Sequence, residues 1–131
     1  MKSKIVYILI IILFIILIGF LYYNKKHKTL SYYTITYENA KKMINEKDAM
    51  IIDVRTEAEY NQGHVKNAIS VPLNSIDNLI RKKFKSNKYY IVYCASGVRS
   101  RKAAKKLSYL GYKHIYDLGS VHNWKEELTT E

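Results

Sequence analysis

One stretch of this sequence is too long and too apolar for the core of a small water-soluble domain. Residues 5–23 (IVYILIIILFIILIGFLYY) contain no charged side chain. As a helix with a rise of ~1.5 Å per residue, the stretch would be about 28 Å long, close to the hydrocarbon thickness of a bilayer. We therefore interpret residues 5–23 as one transmembrane helix and residues 1–4 as its basic N-terminal flank.

A cleaved signal peptide is the competing interpretation of this stretch. A signal peptide needs a shorter apolar core and a cleavage site of small residues, whereas residues 20–23 (FLYY) follow this core. Lysines flank both ends of the span, so the positive-inside rule gives little preference for either topology. The single cysteine cannot form an internal disulfide, and we favour a single-pass cell-membrane protein whose domain is cytoplasmic.

The chain is strongly basic, with 22 basic and 11 acidic residues and a net charge of +11. Such a surface attracts anions, but the basic runs at 81–83 and 105–106 are typical of solvated helix faces. Because no nucleic-acid-binding module accompanies the charge, we expect no nucleic-acid partner. Lys25, Lys26 and Lys28 suit contact with anionic lipids and would strengthen attachment to the membrane.

The remainder of the chain has the pattern of one small α/β domain. Residues 24–31 are a polar linker, and residues 32–131 are long enough for one modest core. Near-continuous apolar runs at 49–53 and 89–93 are typical of strands that are buried on both faces, and residues 114–118 indicate another strand.

Segments of helical periodicity separate these strands. Apolar residues recur at helical spacing in 73–84 and 100–110, and a last helix is expected to bury Val121, Trp124 and Leu128. Strands that alternate with helices predict a small parallel sheet that is flanked by helices on both faces. In such folds, functional groups gather at the carboxyl ends of the strands.

Two predicted strands end in residues that can perform chemistry. Asp53 and Arg55 follow one strand, and Cys94 follows another. Small residues and a glycine come next and lead into a helix, so backbone N–H groups can converge on the thiol. Together with the positive end of the helix, they would favour a reactive thiolate. The candidate loop and anion-binding residues are Ala95, Ser96, Gly97, Val98 and Arg99.

Three segments, in order, resemble the signatures of a known family. Residues 52–55 (IDVR), 59–72 (EYNQGHVKNAISVP) and 93–100 (YCASGVRS) are similar to those of single-domain rhodaneses, which are sulfurtransferases. The resemblance extends from about residue 32 to residue 127. The N-terminal span also resembles that of membrane-anchored bacterial rhodaneses.

This resemblance implies a rhodanese-like domain in which Cys94 is the catalytic nucleophile. The Cys94 thiolate would take a sulfane sulfur from thiosulfate or a persulfide and pass it to a thiol or a protein acceptor. Neither a metal nor an organic cofactor is implied. The C-x4-R spacing of Cys94 and Arg99 matches sulfurtransferases, whereas related phosphatases carry C-x5-R.

The remaining site candidates have supporting roles in this interpretation. Arg99 is expected either to face the substrate anion or to brace the loop. Asp53 and Arg55 match the family's strand-end pair, which would hold neighbouring loops. Glu59 has the T-x-x-E spacing of a capping box, which favours a structural role. The other supporting residues are His64, interpreted as a structural histidine, and Ser100, at the predicted helix start.

Two departures from the family pattern and two alternative functions accompany this hypothesis. Many relatives that use thiosulfate have a basic residue where this chain has Ala95, which predicts poor use of thiosulfate. Gly119 and Ser120 replace a double glycine, a difference expected to change a turn and not the chemistry. The alternatives are a non-catalytic docking module that recruits a partner to the membrane and a thiol-redox sensor, which would lack a resolving cysteine.

Overall fold

The apolar runs of the sequence form the centre of a five-stranded parallel sheet. The computed structural model describes residues 1–26 and 31–131. Its strands follow the order β1-β5-β4-β2-β3, and every neighbouring pair is parallel. The strands are β1 (Tyr32–Thr34), β2 (Met50–Asp53), β3 (Ile69–Ser70), β4 (Tyr89–Cys94) and β5 (His114–Ser120).

Helices connect these strands, and most of them begin or end at identifiable caps. A Thr36 side chain caps the second helix, and a complete capping box between Thr56 and Glu59 begins the third, as its sequence spacing predicts. The helices are α1 (Lys2–Lys26), α2 (Tyr37–Lys47), α3 (Glu57–Gln62), α4 (Ile76–Lys83) and α5 (Val98–Tyr109), and Leu73–Ser75 and Val121–Asn123 form 3-10 turns.

The sheet is packed on both faces, which confirms the predicted α/β architecture. Successive residues of β2, Ile51 and Ile52, belong to different core clusters because strand side chains alternate between faces. One cluster joins the sheet to α4 and α5, and the other joins it to α2. Burial on both faces explains why β2 and β4 lack the polar alternation of a half-exposed strand.

Two predicted helix boundaries are wrong. Helix α5 begins at Val98, not at residue 100, because Gly97 has a φ of +93° and ends the preceding turn as the N-cap. The predicted last helix is only the turn Val121–Asn123. Val121 and Trp124 are buried as expected, but Leu128 lies beyond the turn with 42% of its surface exposed.

Helix α1 is apolar along nearly its whole length and lies outside the core of the domain. Within Lys2–Lys25, the most apolar window of 18 residues has a mean hydropathy of 3.2, and none of that window is buried. By length and composition it can cross a membrane, although a signal sequence would satisfy the same criteria. Half of the predicted linker, residues 27–30 of 24–31, lies outside the described residues.

Candidate active site

The only thiol of the chain lies at the carboxyl edge of the sheet. Cys94 is the last residue of β4, the central strand, and its side chain is fully buried. The backbone N–H of Gly97 donates to its Sγ at 3.0 Å. The turn of residues 94–97, called the thiol turn below, therefore bends back over the sulfur, as the small residues of the loop predict.

The N-terminus of α5 adds a favourable potential at this position. Helix α5 starts at Val98, four residues after Cys94, and its first turn contains no acidic residue. Its first N–H groups have no partners within the helix, and the helix dipole is positive at this end. Both effects favour negative charge at this position.

Two serine hydroxyls hold the carbonyl groups of the turn. Ser100 Oγ donates to the Gly97 carbonyl at 3.1 Å, and Ser120 Oγ donates to the Ala95 carbonyl at 2.6 Å. Ser100 was predicted as a supporting residue, whereas Ser120 was expected to affect only a turn. Its position depends on the pairing register of β4 and β5, which no local sequence pattern indicates.

The Arg99 guanidinium forms an ion pair with a carboxylate. Its two terminal nitrogens donate to Glu59 Oε2 and Oε1 at 2.6 and 2.7 Å, a bidentate pair between α5 and α3. Thr56 donates to the same carboxylate from its backbone and hydroxyl. The Arg99 guanidinium, followed by the Thr56 backbone donor, lowers the pKa of Glu59 to about 2. Of its two expected roles, this geometry fits bracing of the loop.

A buried network lies beneath the turn. Arg55 Nη2 and the Tyr93 hydroxyl each donate to Asp53 Oδ2 at 2.7 Å. Arg55 Nη2 also reaches the Gly63 carbonyl at 2.7 Å, and the Tyr93 oxygen accepts the Val65 N–H at 3.1 Å. Burial, then the bond to Asp53, raises the pKa of Tyr93. The network joins the ends of β2 and β4 to the segment after α3.

His64 lies apart from the thiol turn and makes structural contacts. Its ring stacks on Tyr60 with 3.6 Å between ring centroids, and its Nδ1 lies 3.0 Å from the Tyr60 carbonyl. Its backbone pairs with Thr129 of the C-terminal segment. The structure therefore brings Cys94, its loop, Arg99 and Glu59 together, and places His64 in a separate cluster.

A cleft of about 550 Å³ has Arg99, from the first turn of α5, on its wall. Both basic side chains on its wall are paired: Arg55 with Asp53, and Arg99 with Glu59. The cleft therefore offers no uncompensated basic side chain to an anion. Its walls are formed by Arg55, Thr56, Glu57, Pro72, Leu73, Asn74, Ser75 and Arg99.

Comparison with known proteins identifies the class to which this fold and thiol turn belong. Residues 36–127 match the model of the rhodanese-like domain, and the chain belongs to this family. A rhodanese-like domain protein from Staphylococcus aureus is 33% identical, with a TM-score of 0.66 over 75% of this chain and 97% of that one. A rhodanese-related protein from Thermoplasma volcanium has the same TM-score at 27% identity, over 76% of this chain and all of that one.

Curated relatives carry two different names. The thiosulfate sulfurtransferase GlpE of Coxiella burnetii is 30% identical over 76% of this chain and 92% of its own length. The tRNA uridine(34) hydroxylase of Buchnera aphidicola is 32% identical over 66% of this chain. The chain spans only 30% of that hydroxylase. The relationship supports a sulfur-transfer or related enzymatic role.

The buried network predicts a stability effect for Tyr93→Phe. The change leaves the buried Val65 N–H unpaired and removes one donor from Asp53, so we expect a loss of about 1–3 kcal/mol in the free energy of unfolding. Urea denaturation of the full chain in detergent measures it. Tyr33→Phe, which alters a ring that is 60% exposed, is the matched control, and an equal loss in both variants would contradict the role of the network.

The Glu59 pair predicts a pH dependence of stability. Because folding lowers the pKa of Glu59 from 4.5 to about 2, its contribution is present above pH 4.5 and is lost as the pH falls to about 2. Glu59→Gln should be less stable at neutral pH and should lack this part of the acid-induced loss. Denaturation between pH 2 and 6 tests the expectation, with Glu57→Gln as control; parallel curves for Glu59→Gln and wild type would refute it.

Proposed function

We propose that this protein is a membrane-anchored sulfurtransferase that carries sulfur as a persulfide on Cys94. The observation that supports this most directly is the Gly97 N–H bond to the Cys94 sulfur at the start of α5. A core cysteine would need neither the turn nor the helix end. Ala95, Ser96 and Gly97 form the loop, Val98 and Arg99 begin the helix that follows it, and Asp53, Arg55, Glu59 and Ser100 support this arrangement. His64 has a structural role in a separate cluster.

The reaction consists of two displacements at sulfur. The Cys94 thiolate attacks the outer sulfur of the donor, the donor S–S bond breaks, and its electron pair leaves with the departing anion. The thiolate of an acceptor then attacks the outer sulfur of the Cys94 persulfide, and the Cys94 thiolate is regenerated. N–H groups of the loop stabilise the anionic sulfur in both steps. Because Cys94 is fully buried at rest, the loop has to shift before the donor makes contact.

We propose further that the donor is a persulfide in preference to thiosulfate. Thiosulfate carries two negative charges and gains most from an uncompensated cation near the thiol. Here the residue after the cysteine is alanine, and Arg99 and Arg55 are already paired with carboxylates. A persulfide carries at most one charge at the reacting end and depends less on such a cation.

The proposed anchor is helix α1, with the catalytic domain on the cytoplasmic side. The support for anchoring is a 24-residue helical segment with no buried portion. The support for the cytoplasmic side is the absence of a second cysteine for a disulfide. A thiol acceptor would be abundant in that compartment, where thiols are kept reduced.

The persulfide is directly measurable. Incubation of the full chain with glutathione persulfide should add about 32 Da, one sulfur atom, and a reducing thiol should remove it. Intact-protein mass spectrometry measures both steps. Cys94→Ser should gain no such mass. A wild-type protein that forms no adduct with glutathione persulfide or with thiosulfate would overturn the proposal.

The donor preference predicts a gain of function for Ala95→Lys. An unpaired ammonium group beside Cys94 should raise kcat/KM for thiosulfate about tenfold, equivalent to about 1.4 kcal/mol. The value for glutathione persulfide should change less than the value for thiosulfate. Ala95→Gln adds comparable bulk without charge and serves as the control. Equal gains for both variants or both donors would contradict the electrostatic argument.

Membrane attachment is tested on the full chain expressed in bacteria. A spanning helix should keep the protein in the membrane pellet after alkaline carbonate extraction, at the mass of the complete sequence. Leu13→Arg places a charge near the middle of α1 and should reduce insertion, since this costs about 2.5–3.5 kcal/mol on insertion scales. A shorter, extractable wild-type product would indicate a cleaved signal sequence.

A further inference from the structure

The serine at the end of β5 contacts the turn that covers the thiol. Ser120 Oγ donates to the Ala95 carbonyl at 2.6 Å and accepts the His122 N–H at 3.2 Å. A hydroxyl can accept at a lone pair and donate its single proton at the same time, so it can bond the His122 N–H and the Ala95 carbonyl together. The side chain thus makes two bonds whose donor and acceptor roles are complementary.

An irregularity in the sheet brings Ser120 to this position. The β4–β5 register shifts between Val92 and Tyr93, so that Tyr93 pairs with Gly119 and Cys94 with Ser120. Without the shift, the partner of Cys94 would be Gly119. The bulge therefore places the only aliphatic hydroxyl of β5, that of Ser120, beside the turn that follows the thiol.

The contact controls the orientation of one peptide plane. A trans peptide is planar, and its C=O and N–H point in opposite directions. With the Ala95 carbonyl held by Ser120, the Ser96 N–H points away from β5. Rotation of this plane would change the conformation of the turn in which the Gly97 N–H donates to the Cys94 sulfur.

We propose that Ser120 is a positioning residue for sulfur transfer, and this inference rests on the proposed function of Cys94. Its hydroxyl holds the Ala95–Ser96 peptide in the orientation that presents N–H groups to the persulfide. Ser100 does the same for the Gly97 carbonyl, so two carbonyl groups of the turn are held by hydroxyls from different elements. Ser120 acts from β5, outside the loop itself.

The test compares Ser120→Ala with Ser120→Thr in the full chain. Loss of the hydroxyl should lower kcat for sulfur transfer about five- to tenfold, the range of one hydrogen bond, with KM for the donor changed less than about twofold. Ser120→Thr keeps the hydroxyl and should restore kcat to within about twofold. Ser86→Ala, in the exposed turn before β4, controls for the loss of a serine hydroxyl elsewhere.

Amide hydrogen exchange provides a readout that does not need activity. In Ser120→Ala, exchange at Ser96 and Gly97 should accelerate about five- to tenfold, while the core of β4 stays protected. Unchanged exchange, unchanged kcat, or failure of the threonine variant to restore kcat would each overturn the inference. If wild type forms no persulfide, the proposed function fails, whereas the exchange data still decide whether Ser120 holds the turn.

Discussion

The arrangement of the carboxyl edge of the sheet depends on the buried carboxylate of Asp53. The carboxylate accepts hydrogen bonds from Arg55 and Tyr93, and the backbone carbonyl of Asp53 accepts the N–H of Val71. Through these groups it joins β2, β4 and the connections on either side of β3. A charged group in a core is costly unless fully paired, so the bonds that compensate Asp53 also restrict the relative positions of these segments. The thiol turn is built on that restricted base.

In this basic protein, different groups attract anions at long range and stabilise negative charge on the sulfur at short range. The chain carries a large positive net charge, yet both arginines that line the cleft are paired with carboxylates of their own domain. Stabilisation of negative sulfur is therefore left to backbone N–H groups and the end of α5, which act at short range. Long-range attraction comes from the surface lysines and does not distinguish one anion from another.

The sequence predicted local features of this fold better than those set by pairing between distant segments. The strand ends at Asp53 and Cys94 were predictable because buried apolar runs define them, and the resemblance to the family implied the role of Asp53 and Arg55. β1 and β3, with three and two residues, are too short to show a period. The Arg99–Glu59 contact spans 40 positions, and the position of Ser120 depends on a register shift. The start of α5 was misplaced because the φ of Gly97 determines it.

The common direction of the strands determines how far the thiol lies from the strand starts, which follow α1 along the chain. Strand β1 starts at Tyr32, six positions after the last residue of α1, and all five strands run the same way. With α1 in a bilayer, the strand starts are tethered near the lipid surface, because six residues extend at most about 20 Å. The thiol is at the opposite edge, about 20 Å along the sheet for a six-residue strand such as β4. If α1 spans a bilayer as proposed, such a tether would confine the thiol to a thin layer of water beside the membrane.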